Sequence, residues 1–588
     1  MIDDDVLLGV RKPARYLGSE WNSRSKDFDS SGLRFALCFP DLYEIGMSNL
    51  GIRIIYDILN DADGICCERF FAPDIDMENV LRLGNKKLFS LESARPLHEF
   101  DVVGFSLGYE LSYTNILNML ELGGIPLEAA LRGSEHPLVI GGGPCVLNPE
   151  PLHEFFDAFF VGEAEEAILE ISSIVRSAKD KMRDGKIGRD ELLFILSGVE
   201  GIYVPSFYKV KYNEYGKMED FIPARDGVPL KIKKRIIKDL DNAKYPVKWL
   251  VPYIQVIHDR ISLEVTRGCP NKCRFCQARA QYFPLRHRSV GKLTELAQEA
   301  YKSSGYEEVS LGGLSLSDYP DLPELLKSLF DCFKNKCVSI SLPSIKPRAA
   351  LNNIPALLAK VKKTGFTFAP EAGTQRLRDC LGKSFPLDES FKVIEEAYSS
   401  GYRHIKLYFM FGIPSETDED LDGIIDFVVQ SSLLRKKFNL PPAQINLSIN
   451  ALIPKPHTAL QWSAMESGDS IIRKEKYIKD KLSRNKKVKI SFHNDQMSFL
   501  EGIFSRGDRR LSRVVSLAFK KGARFDAWTE HFSLERWNEA FAEAGIDPNG
   551  YLLARDKDEI LPWDFLDLGI NRDYLLKEAE QILHCNSA

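Results

Sequence analysis

Ile261-Ser-Leu-Glu-Val-Thr-Arg-Gly-Cys269-Pro-Asn-Lys-Cys273-Arg-Phe-Cys276 places three thiols within eight residues, directly behind an apolar run. Ser262–Thr266 reads as a buried strand, and a strand end followed by a tight loop can aim three sulfurs at one region. A structural zinc takes four protein ligands and usually draws on a second C-x-x-C pair, which this chain lacks. Three thiolates suit a [4Fe–4S] cluster with one iron left open. Cys269, Cys273 and Cys276 are therefore the expected metal ligands, with zinc the alternative.

Downstream the strand-then-helix rhythm repeats, with strands expected at Ser262–Thr266, Glu308–Leu311, Val338–Leu342, Thr367–Ala369, His404–Phe409 and Gln444–Asn450. Six such units fit a partial (β/α)6 TIM barrel over 259–460. Upstream, the apolar runs Arg34–Phe39, Asp101–Leu107, Pro137–Gly141 and Phe156–Val161 each end in a turn rich in Gly, Pro, Asp or Ser. They predict a doubly wound, Rossmann-like α/β domain over 1–165, with its ligand-binding turns at the carboxyl edge of the sheet. Residues 166–258 read as a connector, and 461–588 as a mostly helical region.

The chain has 588 residues, 44% hydrophobic and 27% charged, enough for several soluble domains. A net charge of −5 gives no global positive field for nucleic acid, so an RNA site would need a local patch. Lys231–Lys238, Arg484–Lys489 and Arg506–Arg510 are the candidates, although charge runs are usually solvated faces. The start Met1-Ile-Asp-Asp-Asp5 is acidic where a secretory signal is basic, and no apolar run is long enough for a membrane span. The expectation is a cytoplasmic protein without a membrane partner, in which clustered cysteines mean metal rather than disulfides.

C-x-x-x-C-x-aromatic-C behind a first barrel strand, with Phe275 as the aromatic, resembles the radical S-adenosylmethionine (SAM) superfamily. The resemblance continues in order along the chain. Ser310-Leu-Gly312-Gly313-Leu-Ser315 stands where the superfamily's Gly-Gly-Glu turn meets the methionyl amine of SAM, with Leu314 at the acidic position. Gly312 and Gly313 would then act through backbone, helped by Ser315. Lys346, after the third strand, would face the methionyl carboxylate, and Glu371 in Thr367-Phe-Ala-Pro-Glu-Ala-Gly373 would contact ribose or amine. Lys406-Leu-Tyr-Phe-Met-Phe-Gly412-Ile-Pro-Ser-Glu416 is similar to the fifth-strand motif that packs on adenine, which brings Gly412 and Glu416 to the SAM site.

With the Pro454-Lys-Pro-His-Thr458 segment, the whole resembles B12-binding-type radical SAM proteins, which join a cobalamin-binding-like domain to the barrel. Asp41-Leu-Tyr43-Glu-Ile-Gly46 keeps the frame of a D-x-H-x-x-G loop but puts Tyr43 where the cobalt-ligating His belongs. Ser106, Gly141 and Gly142 stand where such domains line the nucleotide tail of cobalamin. The resemblance implies reductive SAM cleavage to a 5′-deoxyadenosyl radical, an external one-electron reductant of flavodoxin or ferredoxin type, and cobalamin-dependent methylation of an unactivated centre of an RNA, protein or other substrate. A cobalamin-free radical SAM enzyme is one alternative. A methylthiotransferase-like RNA or protein modification enzyme with a second cluster, drawing on Cys38, Cys66, Cys67 and Cys145, is another. His457 and His493 lie in polar, turn-rich stretches and are expected to be structural rather than cavity-facing.

Overall fold

The computed structural model describes residues 4–342, 366–383, 385–399 and 401–583. The N-terminal sheet is built from β1 (Leu33–Phe39), β2 (Ile65–Phe71), β3 (Val102–Ser106), β4 (Leu138–Gly142), β5 (Ala158–Phe160) and β6 (Ile202–Tyr203), ordered β2-β1-β3-β4-β5-β6. The first five are parallel and β6 is antiparallel. Helices cover both faces, so these strands are apolar nearly throughout rather than alternating. The sequence reading missed β2, because Glu68 and Arg69 interrupt its apolar run. Both are buried all the same. Arg69, 0% exposed, lies between Glu20 and Glu92 at 2.6 Å from each, and such pairing is what makes a buried charge tolerable.

A second parallel sheet contains β7 (Ile261–Glu264), β8 (Glu308–Gly312) and β9 (Ser339–Ser341). A third contains β10 (Phe366–Glu371), β11 (His404–Phe411), β12 (Gln444–Ala451) and β13 (Val488–Phe492), also in chain order. The expected strand–helix succession is present, but with seven strands rather than six. Along β11 and β12 buried and accessible residues alternate: Leu407, Phe409, Leu447 and Ile449 are buried, whereas Lys406, Tyr408, Asn446 and Asn450 are not. A parallel sheet with a polar face is lining something. The strand β13 falls in the region expected to be helical, since its lysines read as a charge run and hid the alternation of Val488, Ile490 and Phe492.

The C-terminal region does not stand apart. Leu566–Asp567 pairs in parallel with Ile232–Lys233 of the connector, and Phe565 stacks on Phe221 at 4.3 Å between ring centres. The basic stretch Lys231–Lys238 is correspondingly no open patch. Lys234 is buried and donates to the carbonyls of Ala280, Gln281 and Phe283 at 2.8, 3.1 and 2.8 Å, and burial pushes its pKa down to about 8. Arg506 is likewise buried, donating to the carbonyls of Ser463, Tyr551 and Leu553.

Candidate functional site: a cysteine loop beside a polar-walled cavity

The cysteine loop leaves the second sheet through Gly268, whose φ of +93° and close approach to Pro284 exclude a side chain; a Cβ there would lie 2.7 Å from the Pro284 carbonyl oxygen. Cys269, Cys273 and Cys276 follow, all half-buried. The amide of Asn271, between the first two, donates to Cys269 Sγ at 3.2 Å and to Asp318 Oδ2 at 3.1 Å. It also lies 3.3 Å from Ser315 Oγ, which itself donates to Asp318 Oδ2 at 2.5 Å. The loop is thus tied to the turn after β8. Asn271 and Asp318 were missed by the sequence reading, the only hint being a polar residue between two ligands. Burial, with the nearby Cys269 adding to it, pushes the Cys276 thiol up, while the backbone amides of Arg279 and Ala278 favour its thiolate.

This donor set fits an iron–sulfur cluster. Three thiols of one loop are its donors. A tetrahedral zinc would need its sulfurs at about 2.3 Å from a common centre, whereas a cluster takes one thiolate on each of three irons. Cys38, Cys66, Cys67 and Cys145 are buried in the first domain, and burial pushes all four thiols up, Cys66 to about 12.

Gly312 and Gly313 lie at the end of β8, and a Cβ on Gly313 would meet Thr266 Oγ1 at 2.4 Å. Leu314 is 42% exposed, and Ser315 is buried against Asp318. Lys346 lies outside the described residues. Glu371 closes β10 after a bulge, with a φ of +72° that a non-glycine residue seldom adopts. Lys383 donates to its Oε1 at 2.7 Å, and its charge acts on Cys276. Phe275 and Glu371 line a cavity of about 610 Å³ together with Tyr408, Met410, Asn450 and His493 of the third sheet and its ends. The far wall is Tyr109, from the loop after β3, and Lys455. Tyr109 donates to Glu501 Oε2 at 2.8 Å, and Lys455 Nζ donates to Glu110 and Glu501 at 2.8 and 2.7 Å. Against burial, which pushes it up, Lys455 holds the Glu110 carboxyl below its ordinary value.

Gly412 and Glu416 do not line this cavity. Glu416 accepts from the Gly412 amide at 2.8 Å and from buried Lys474 at 2.5 Å, so the two close a turn of the fold rather than a ligand wall. The two histidines separate. His457 is buried and donates through Nε2 to the Leu147 carbonyl at 3.0 Å, while His493, held at Nδ1 by Ser498 Oγ at 2.9 Å, faces the cavity.

The residues expected at cobalamin divide in the same way. Tyr43 is 2% exposed, donates to Glu20 at 2.8 Å and packs edge-on against Phe71, so it offers nothing to a cobalt. Asp41 accepts from Trp528 Nε1 at 3.0 Å. A Cβ on Gly46 would strike Phe71, and one on Gly141 would strike Leu107 and Phe159, so these glycines serve core packing. The crevice between β1 and β3, where chain order reverses, is bridged from within: Asn115 donates to the Pro40 carbonyl and accepts from the Phe525 amide. The Asp41–Gly46 loop thus lacks the fit for an axial cobalt ligand. Ser106 and Gly142, in contrast, do line a cavity of about 420 Å³ on one face of the sheet, with Gly104, Leu37 and Ile168 around it and Arg267 at its end. Its wall combines glycines and aliphatic side chains with Phe35, Phe105 and the charged Glu163, Glu165 and Glu264.

Two family models match the chain: "Radical SAM proteins, N-terminal" over residues 51–205 and "Radical SAM superfamily" over 263–428. An uncharacterised protein of Methanocaldococcus jannaschii is 28% identical over 518 residues, covering 87% of this chain and 98% of its own length. An uncharacterised methyltransferase of Pyrococcus horikoshii is 22% identical over 351 residues, or 56% of this chain and 71% of its own. Among solved structures, the radical SAM methyltransferase TsrM of Kitasatospora setae, with cobalamin and a [4Fe–4S] cluster bound, aligns at a TM-score of 0.48 and 13% identity, over 73% of this chain and 77% of that one. The three cysteines lie near the start of the second match, so residues 263–428 form a radical SAM domain.

Proposed function

We propose that the chain is a radical SAM enzyme that cleaves SAM reductively and turns the resulting 5′-deoxyadenosyl radical on a C–H bond of a substrate held in the 610 Å³ cavity, taking its hydrogen as 5′-deoxyadenosine. A second SAM then gives its methyl group to the substrate radical, with one more electron from the external reductant, and leaves as S-adenosylhomocysteine. The observation that carries this reading is that Phe275, inside the cysteine loop, and Glu371, whose charge reaches Cys276, share a wall of that cavity. When bound, the cluster supplies the electron that breaks the sulfonium S–C bond. Gly312, Gly313 and Ser315 would seat the methionyl end of SAM, and Glu371, paired with Lys383, would orient its amine or ribose. Tyr109, Phe275, Met410 and Ile453 would keep water from the radical, which suppresses side reactions. Methyl transfer draws support from the Pyrococcus relative.

The test is anaerobic reconstitution followed by iron, sulfide and product analysis with SAM and a low-potential reductant. About four irons per chain and 5′-deoxyadenosine are expected, and Cys273→Ala should lose both. Retained 5′-deoxyadenosine in that variant would refute the reading. Cobalamin-dependent methylation is a second reading, favoured by the 420 Å³ cradle of Gly104, Ser106 and Gly142. Gly104, Ser106 and Gly142 would hold the cofactor, and Tyr43, engaged with Glu20, would take no part. Ser106→Leu should then abolish cobalamin uptake while sparing the iron count, and an unchanged uptake would remove this cradle from the account.

A further inference from the structure

Arg274 sits between two cluster ligands, and its charge is answered from the far end of the chain. Arg274 Nε donates to Glu578 Oε2 at 2.9 Å, with both side chains largely withdrawn from solvent. The same guanidinium donates to the carbonyls of Asp379 and Cys380 at 3.0 and 2.8 Å and contacts Gln581. One turn along the C-terminal helix (Arg572–Leu583), Tyr574 accepts from Arg279 at 2.9 Å, its ring 5.3 Å from the guanidinium carbon. Cys273, Cys276, Arg274, Arg279, Leu575 and Glu578 line one gap of only about 10 Å³. At most a single water fits there. The two cysteines, the guanidinium and the carboxylate-bearing residue thus border one narrow gap.

We propose that Glu578 is a positioning residue that sets the reduction potential of the cluster by neutralising Arg274 beside Cys273 and Cys276. Reduction adds one electron from the external donor to the cluster and makes the site one unit more negative. A lone guanidinium at the loop would favour that state, and a paired carboxylate opposes it, because cluster potentials follow net local charge. The C-terminal helix thereby keeps the cluster hard to reduce, so that electrons are not drawn off idly. No sequence motif marks this role, since 304 residues separate the partners.

This inference rests on the radical SAM reading of the cysteine loop. The experiment is an EPR-monitored redox titration of the reconstituted full chain and of Glu578→Gln and Glu578→Asp, each with iron and sulfide counted. Glu578→Gln should shift the midpoint to a more positive potential, more at low than at high ionic strength, and Glu578→Asp should stay near the parent. An unmoved midpoint in a fully loaded Glu578→Gln, or an equal shift in Glu578→Asp, overturns the charge assignment alone. A parent chain that binds no cluster overturns the reading beneath it as well.

Discussion

Glu371 shows how a site residue can be legible in identity and hidden in geometry. Its place in Thr367–Gly373 marks it in the sequence, but neither the bulge that frees it from β10 nor its left-handed backbone can be read there. A strained conformation persists only where the surroundings impose it, and such strain collects at functional sites. Glu371→Gln keeps the backbone and removes the charge. Product formation should fall at least about tenfold, and because the pair with Lys383 is largely withdrawn from solvent the melting temperature should fall as well, by a loss on the order of 1–3 kcal/mol. Parallel activity and thermal-melt measurements check this, and a variant with full turnover would remove Glu371 from the site. Tyr43 is the opposite case. A phenol in a ligand frame looks like a substituted cobalt ligand, yet burial and Glu20 make it a core residue. Tyr43→Phe should cost about 1 kcal/mol in urea unfolding, because it removes one of the two donors to a buried carboxylate oxygen.

At the level of elements, strands with uninterrupted apolar residues were readable, and β2 and β13 were not: in β2 the charges of Glu68 and Arg69 are answered by Ser93, Glu20 and Glu92, and in β13 the exposed Lys489 reads as part of a charge run. The Pro454–Thr458 segment was readable as a signature but not as a joint. Its Lys455 meets Glu110 and Glu501, and its His457 meets Leu147, so it pins the third sheet to the loops of the first. Lys455→Met would leave two buried carboxylates facing each other and should destabilise the chain by about 3–5 kcal/mol; adding Glu110→Gln should recover part of that loss. His457 gives the joint a pH dependence. Burial pushes its pKa from 6.5 down to about 4, so between those values the unfolded chain binds the proton that the folded chain refuses. Its contribution is present above pH 6.5 and is lost as pH falls toward 4. Between pH 7 and pH 5 the chain should lose about 2 kcal/mol in urea unfolding from this group, and His457→Gln should flatten that slope. His153, which meets Ser512 and is pushed down to about 3 by burial, adds in the same direction.

Across the whole molecule, the boundaries drawn from composition separate regions that the fold interlocks. Arg509 reaches Glu150 at 2.6 Å and the hydroxyl of Tyr203 at 2.6 Å, tying the helices after β13 to the first sheet. Asn148 donates to the carbonyls of Ser505 and Gly507 at 3.0 and 2.8 Å. Phe565 fills the space between Tyr203 and Phe221, joining the end of the chain to the edge of that sheet. None of this was legible, because sequence patterns report the period of an element and say nothing of partners hundreds of residues away. Regions so joined should not melt separately, even though chains of this length commonly unfold in stages. Phe565→Ala removes a buried aromatic shared by three segments and should cost about 3–5 kcal/mol. If the interlock holds, far-ultraviolet circular dichroism and tryptophan fluorescence will fall together at one lowered temperature in the variant, as in the parent at a higher one. A first sheet that melts at its own temperature, leaving the rest folded, would show instead that the C-terminal helices cap its carboxyl edge without depending on it.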